Sequence, residues 1–287
     1  MISIIIPAYN EEKNIKNVIM EIKNIFKKKT IFKEYEIIVV DDGSNDKTGE
    51  IALSLNVKVI RNVEKMGYGY SLKKGILAAT NETIVIIDAD KTYPFSFFFD
   101  LYNKKKQGYD LVVGARRGKY YKGTIIKRLL RFMLTKFVEF IASKKIKDIN
   151  SGFRIFDKET VIKYFPRLCD TFSFTTSQTL NYIMDSLTVG YVDIDYLKRK
   201  DKSKVKLFKD SLVTLRYIIE SCVYYRPFKM FSLLSFLCVF LSIIGFVFSH
   251  FLNIKAGYIL GIGGLLVSII VFSLGLLSVL LKQIMNK

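Results

Sequence analysis

Short runs of isoleucine and valine recur through the first part of the chain, and each runs into polar residues. They end at Ile6, Val40, Ile60, Ile87 and Val113. Between them the apolar positions change to helical spacing. Ile15, Val18, Ile19, Ile22, Ile25 and Phe26 share one helix face, and residues 70–79 read the same way. Runs such as Ile37–Val40 and Ile84–Ile87 are continuous rather than alternating, as in strands covered on both faces. This strand–helix alternation predicts an α/β domain with a mostly parallel sheet. Pro94 predicts a helix opening over 95–106. Beyond Asn150 the alternation weakens, leaving a helix over 175–187 and a last strand around 189–196.

The C-terminal part has a different pattern. Residues 230–254 and 256–281 form two uncharged stretches, each longer than the roughly 20 residues that cross a bilayer core. Only Asn253, Ile254 and Lys255 lie around the break, which predicts a tight hairpin of two spans. Gly257 and Gly261, and Gly264 and Ser268, stand at the four-residue spacing that lets membrane helices approach closely. The expected organisation is an α/β domain over 1–205, a basic, amphipathic juxtamembrane linker over 206–229, and spans over 230–254 and 256–281.

Composition follows this division. The chain has 287 residues and a net charge of +19, with a mean hydropathy of +0.23. All 26 acidic residues and 42 of the 45 Lys and Arg lie before Met230. Arg226 and Lys229 precede the first stretch and Lys282 and Lys287 follow the second. The positive-inside rule therefore predicts a cytosolic domain and a cytosolic C-terminus. Seven of the twelve residues from Lys198 to Lys209 are basic. Their place before a membrane span favours anionic lipid head groups over nucleic acid. The single His, His250, lies in an apolar stretch, which excludes a Ser-His-Asp triad and a His-ligated zinc site. Cys169, Cys222 and Cys238 form no CxxC pair and fit a reducing compartment.

In open α/β sheets ligands gather at the carboxyl ends of the strands. Polar loops occupy that place four times here: Pro7-Ala8-Tyr9-Asn10-Glu11-Glu12, Asp41-Asp42-Gly43-Ser44-Asn45-Asp46, Asp88-Ala89-Asp90, and Gly114-Ala115-Arg116-Arg117. Two carboxylates two residues apart at a strand end suit one hard cation, Mg²⁺ or Mn²⁺, bridging substrate phosphates. Asp46 reads as a helix cap for 47–55.

Together with Val39-Val40-Asp41-Asp42-Gly43-Ser44, Gly67-Tyr68-Gly69, Ser151-Gly152-Phe153-Arg154 and Tyr196 with Arg199, Ser203 and Lys204, these segments resemble the family 2 glycosyltransferases of the GT-A fold. Within that family they resemble the polyprenyl-phosphate (dolichyl-phosphate) mannose and glucose synthases. The resemblance covers nearly all of residues 1–205, in the family's order, and implies roles. Pro7, Ala8, Tyr9 and Glu11 line the nucleotide pocket, and Asp42 reads the base with Asp41 beside it. Asp88 and Asp90, with Ala89 between them, hold the metal on the sugar-nucleotide diphosphate. Arg116, Arg117, Arg199 and Lys204 hold phosphates of donor or acceptor. Arg117, Arg128, Arg131 and Arg154 are the acceptor-phosphate candidates, with Asp90, Arg117 and Arg131 as the catalytic set. Arg128 and Arg131 equally suit a basic membrane-facing surface. The sequence departs from the mannosyl pattern at Thr92, where those members often carry a Gln ligand. Lys91, beside the carboxylate pair, has no counterpart role in the resemblance beyond an extra phosphate contact. The absence of Trp leaves no counterpart for the Gln-x-x-Arg-Trp motif of the processive polysaccharide synthases.

The implied reaction is a single inverting displacement moving a hexose from UDP-glucose or GDP-mannose to a polyprenyl phosphate. That acceptor is already anionic near neutrality and needs no general base. Three other readings stand beside it: transfer to a lipid or glycan hydroxyl, a non-catalytic nucleotide-binding membrane protein, and a nucleotidyltransferase.

Overall fold

The computed structural model describes residues 1–28, 34–122, 125–198, 207–252 and 255–285. It divides into two compact units, 1–218 and 219–287.

In the first unit, strand β1 (Ile2–Ala8) is buried along its whole length, and its side chains alternate between two cores. Ile4 and Ile6 enter one cluster with Ile15, Val18, Ile19, Ile22 and Phe26 of helix α1 (Ile15–Lys28). Ile5 enters the other. The same alternation runs through β2 (Tyr35–Asp41), where Ile37 and Val39 face one cluster and Ile38 and Val40 the other. Each fully buried Ile or Val contributes roughly 1.5–3 kcal/mol relative to an exposed one, so a strand with two apolar faces is fixed from both sides.

The chain continues through α2 (Thr48–Ser54), β3 (Lys58–Arg61), α3 (Tyr68–Ala78) and β4 (Thr83–Ile86). A 3-10 turn (Phe95–Phe97) then leads into α4 (Phe98–Lys105). It goes on through β5 (Leu111–Arg117), α5 (Lys119–Lys122), α6 (Ile125–Ala142), β6 (Arg154–Asp157) and α7 (Lys158–Lys163). After a second 3-10 turn come α8 (Phe174–Met184), β7 (Val189–Asp195) and α9 (Leu207–Tyr225). The sheet order is β3-β2-β1-β4-β6-β5-β7. Every neighbour is parallel except β6, which runs antiparallel to both β4 and β5.

The order places function in two ways. The chain moves outward from β1 to β3 and returns at β4, so the loops after β1 and β4 border the crevice where the winding reverses. Because β6 is reversed, its first residue sits at that same edge: Arg154 pairs with Ile86 and Val113. The 148–153 loop thereby joins the four predicted loops. The sequence reading did not include β6, and a four-residue strand beginning with Arg carries no apolar run. The helix expected over 95–106 is split into a 3-10 turn and α4. Residues 206–229, expected as a basic, amphipathic linker, contain all of α9 and the start of the next helix.

The second unit contains α10 (Pro227–Leu252) and α11 (Lys255–Met285), both long and apolar enough to cross a membrane. Glycines stand where they meet. A Cβ on Gly257 would lie 2.8 Å from the carbonyl oxygen of Gly245, and one on Gly261 would lie 2.7 Å from the ring of Phe246. The Ser235 hydroxyl donates to the Ser268 carbonyl at 2.9 Å, and Lys282 Nζ donates to the Tyr225 carbonyl at 2.8 Å.

Candidate active site

At the end of β1, the strand hands over to Tyr9 and Asn10, the latter in the left-handed region at φ 51°. Asn tolerates that conformation, and its backbone N–H donates to Ser44 Oγ while its side chain accepts from the N–H of Asn45. Glu11 is buried, with Asn14 Nδ2 donating to its carboxylate and its own N–H donating to Thr48 Oγ1. These bonds stitch the loop after β1 to the loop after β2. Lys65 Nζ stands 4.2 Å from the centre of the Tyr9 ring. Asp46 accepts from both the N–H and the hydroxyl of Thr48 at the start of α2, while the N-cap position itself falls on Lys47, one residue later than the sequence predicts.

Asp41 and Asp42 are both buried, at 1% and 4% exposure. Asp41 Oδ1 accepts from the Ser44 N–H, and Oδ2 lies 3.6 Å from Arg61 Nε and against Gly49 in the first turn of α2. The positive end of a helix favours a carboxylate there. Asp42 accepts from Asn62 Nδ2, Ser71 Oγ and the N–H groups of Met66 and Gly67. Beside the base-reading role that the resemblance implies, Asp42 thus has a structural one. Its oxygens are engaged inside the protein, where they fasten the 62–71 segment to the end of β2.

Asp88 and Asp90 are half-buried just beyond β4, with buried Ala89 between them. The Tyr68 hydroxyl donates to Asp88 Oδ1 at 2.8 Å. Thr92 donates its hydroxyl and its N–H to Asp90 Oδ1, at 2.6 and 3.1 Å. Lys91, between them, has φ 61°. Burial and the neighbouring Asp88 hold the Tyr68 hydroxyl well above the ordinary tyrosine range, so it stays protonated and donates. A cradle surrounds Asp88. A Cβ on Gly152 would lie 2.6 Å from its Cγ and closer still to both oxygens. Among the described residues no group of three His, Cys, Asp or Glu comes together. Two carboxylates with no nitrogen or sulfur ligand fit a hard divalent cation that keeps water and phosphate oxygens as its remaining ligands.

The carboxyl end of β5 supplies cations of two kinds. Arg116 forms a two-pronged pair with Asp148, Nε to Oδ2 at 2.7 Å and Nη2 to Oδ1 at 2.9 Å, and its N–H donates to the same carboxylate. Its guanidinium also lies over the rings of Tyr121 and Tyr196, at 4.8 and 5.5 Å. Burial opposes ionisation of both partners. The Arg116 charge and hydrogen bonds outweigh it and hold Asp148 below the ordinary carboxylate range. Arg117 pairs with Asp195 at 3.0 Å, with both side chains exposed.

Arg154 departs most from its expected role. It is fully buried. Its guanidinium donates to the carbonyls of Ser151 and Ile149 and to Thr179 Oγ1 and Gln178 Oε1. Burial pulls its pKa down to about 10. An interior arginine engaged on four acceptors does not meet a lipid phosphate, so Arg154 is corrected to the post that holds the 149–152 loop. Arg128 is exposed on α6. The Arg131 side chain, Arg199 and Lys204 lie outside the described residues.

The structure thus joins Tyr9, Glu11, Asp88, Asp90, Arg116 and Arg117 along one edge of the sheet. It adds Tyr93 and Asp148, which the sequence reading did not single out, and gives contacts to Tyr68 and Gly152, which it saw only within motifs. Tyr93 donates no strand-end charge, yet its hydroxyl accepts from the Gly152 N–H at 2.9 Å. Gly67-Tyr68-Gly69 and Ser151-Gly152 were visible as motifs; the contacts they make were not.

Comparison with known proteins agrees with this site. The family described as glycosyl transferase family 2 matches residues 3–165. A dolichyl-phosphate beta-glucosyltransferase of Dictyostelium discoideum is 28% identical over 245 residues, covering 76% of this chain and 75% of that protein. A dolichol-phosphate mannosyltransferase of Pyrococcus furiosus is 35% identical over 172 residues, 56% of this chain and 47% of that protein. Among solved structures, glucosyl-3-phosphoglycerate synthase from Mycobacterium tuberculosis, in complex with Mn²⁺, UDP and glucosyl-3-phosphoglycerate, has a TM-score of 0.60. Its identity is 21%, over 77% of this chain and 80% of that one, a likeness of fold. With a family match across more than half its length, on a GT-A sheet whose strand ends carry paired carboxylates and arginines, this chain belongs to glycosyl transferase family 2.

Proposed function

We propose that this enzyme transfers a hexose from a nucleotide diphosphate-sugar to a polyprenyl (dolichyl) phosphate at the cytosolic face of a membrane. One observation carries the reading: Asp88 and Asp90 share a sheet edge with Arg116 and Arg117, in a chain that also has two membrane-length apolar helices. The names of the Dictyostelium and Pyrococcus relatives support the acceptor. The basic residues flanking both apolar helices support the orientation.

The donor nucleotide lies in the crevice between the loops after β1 and β4, with Tyr9 and Glu11 on one side. Asp88 and Asp90 would hold a divalent cation, Mg²⁺ or Mn²⁺, where the diphosphate enters. When bound, the cation neutralises charge on the departing diphosphate. The protein's own residues do the rest. Arg116, locked by Asp148, is a fixed cation beside the site, and fixed charge stabilises developing charge without reorganisation. Arg117 can exchange its partner: an exposed pair such as Arg117–Asp195 is worth about 0–1 kcal/mol, so an incoming phosphate displaces Asp195 at little cost. An acceptor monophosphate with a second pKa of about 6 needs no base. Its oxygen attacks the anomeric carbon in line, that carbon's bond to the diphosphate breaks, and the configuration inverts. Thr92 bonds Asp90, so the slot is taken up within the loop, which favours glucose over mannose as the sugar.

The test uses purified full-length protein in detergent with Mn²⁺ or Mg²⁺, a short prenyl phosphate, and radiolabelled UDP-glucose, GDP-mannose or UDP-N-acetylglucosamine. Label is expected in the organic phase with UDP-glucose, lost in Asp90→Asn, with inverted anomeric configuration by NMR. No transfer from any donor would overturn the acceptor, and retained configuration would overturn the displacement.

A further inference from the structure

The Gly67-Tyr68-Gly69 motif has no part in the reaction as described, yet its geometry is demanding. Gly67 has φ 116°, and a Cβ there would lie 2.7 Å from the Asp170 carbonyl oxygen. A Cβ on Gly69 would collide with the Cys169 carbonyl oxygen. The Tyr70 N–H donates to the Asp170 carbonyl at 2.9 Å. Two glycines therefore let the first turn of α3 press onto the 169–171 segment, and Tyr68 is fixed between them. Its ring stacks on Phe172, centroids 5.9 Å apart and planes 17° apart. Its hydroxyl ends 2.8 Å from Asp88 Oδ1.

We propose that Tyr68 is a positioning residue that sets the orientation of Asp88 before the cation arrives. The inference rests on the reading of Asp88 and Asp90 as metal ligands. A carboxylate free to rotate loses that freedom on coordination, whereas one already held by a donor has less to lose. Tyr68 holds Oδ1, and Gly152 closes on the same carboxylate without room for a side chain. Thr92 does for Asp90 what Tyr68 does for Asp88. With no third acidic, His or Cys ligand grouped there among the described residues, cation affinity depends on how well the two carboxylates are aimed. Loss of an outer partner of a metal ligand costs about 10- to 100-fold in affinity.

The experiment measures Mn²⁺ binding directly, by the EPR signal of free Mn²⁺, on full-length protein in detergent with and without UDP. The proteins are wild type, Tyr68→Phe, Phe172→Leu and Asp90→Asn, each with its thermal midpoint. Tyr68→Phe is expected to raise the Mn²⁺ dissociation constant about ten-fold, with an unchanged midpoint. Phe172→Leu, which removes the stacking partner and keeps the hydroxyl, is expected to stay within about two-fold of wild type. Unchanged Mn²⁺ binding in Tyr68→Phe, with binding lost in Asp90→Asn, overturns the positioning role alone. Equal weakening by Tyr68→Phe and Phe172→Leu also overturns it, because packing and not the hydroxyl would then be responsible. Wild-type Mn²⁺ binding by Asp90→Asn overturns the metal reading itself.

Discussion

Gly152 stands so close to Asp88 that an added Cβ would lie 2.6 Å from the carboxylate carbon. The two residues are 64 positions apart in sequence, brought together because β6 runs antiparallel beside β4. Gly152→Ala must therefore move Asp88 or the loop that carries it. A displacement of about 1 Å at a reacting centre costs on the order of 100-fold in rate. Transfer assays across a Mn²⁺ series should show that loss. A rate within two-fold of wild type would mean that the loop yields and Asp88 stays in place.

Arg154 gives a prediction that separates two roles. If its guanidinium holds the 149–152 loop, Arg154→Met leaves the Ser151 and Ile149 carbonyls without their donor. Each buried polar group left unsatisfied costs about 1–3 kcal/mol, so the thermal midpoint falls by several degrees. A lipid-phosphate contact would instead raise the acceptor KM and leave the midpoint alone. Denaturation of the variant in micelles, followed by circular dichroism, decides between them.

Much of this architecture is legible in the sequence because apolar runs with two buried faces leave few alternatives. Ile2–Ile6, Ile37–Val40 and Ile84–Ile87 can only be interior strands, and the polar residues after them must then lie on one sheet edge. Charge partners are harder to read. Asp148 lies 32 residues from Arg116 and Tyr68 lies 20 from Asp88, and no periodicity links such pairs. The helix α8 was legible as a helix, but Thr175, Thr176, Ser177, Gln178, Thr179 and Asn181 are all buried. Composition suggests a solvated face there. Arg154 explains part of it, because Gln178 and Thr179 accept its protons. A buried cation and a polar buried helix make sense only together, and neither implies the other in sequence.

Asp42→Asn tests the role of the carboxylate at the end of β2. The amide would place an NH₂ among the donors of Asn62, Met66, Gly67 and Ser71, which need an acceptor. The expected result is a lowered thermal midpoint with unchanged selectivity between uridine and guanosine donors. A change in that selectivity at constant stability would favour the base-reading role over the structural one.

The contact between α10 and α11 predicts its own sensitivity. At Gly257 the obstacle is backbone, the Gly245 carbonyl oxygen at 2.8 Å from a built Cβ, which no rotamer change relieves. Overpacking a close contact costs about 1–3 kcal/mol, so Gly257→Leu should lower the unfolding temperature in micelles. Ser268→Ala should not, because Ser235 bonds the Ser268 carbonyl rather than its hydroxyl. Equal effects from both substitutions would contradict a contact built on small residues.

The Asp148–Arg116 pair makes stability depend on pH in a defined direction. The pair holds Asp148 below its ordinary pKa against the opposing effect of burial, so the unfolded chain takes up its proton first as pH falls. The stabilisation is therefore complete above the unfolded value, about pH 4, and disappears as pH falls through the lower folded value. Asp148 is almost wholly buried, and removing one member of a buried pair costs about 3–5 kcal/mol. Asp148→Asn should thus be less stable than wild type at pH 7, and the gap should close in acid. Glu36 provides the control. Burial raises its pKa, but the hydroxyls of Ser3 and Thr80, the Thr80 N–H and the charge of Lys58 bring it below the ordinary value. Glu36→Gln should show an acid dependence of the same sign, while only Asp148→Asn also loses transfer activity at pH 7, because only it releases Arg116. Unfolding curves for the three proteins from pH 3 to 8, with transfer rates at pH 7, check both statements. A gap for Asp148→Asn that widens as pH falls would mean that Asp148 is carried protonated in the folded protein, and the account of Arg116 as a locked cation would fail with it.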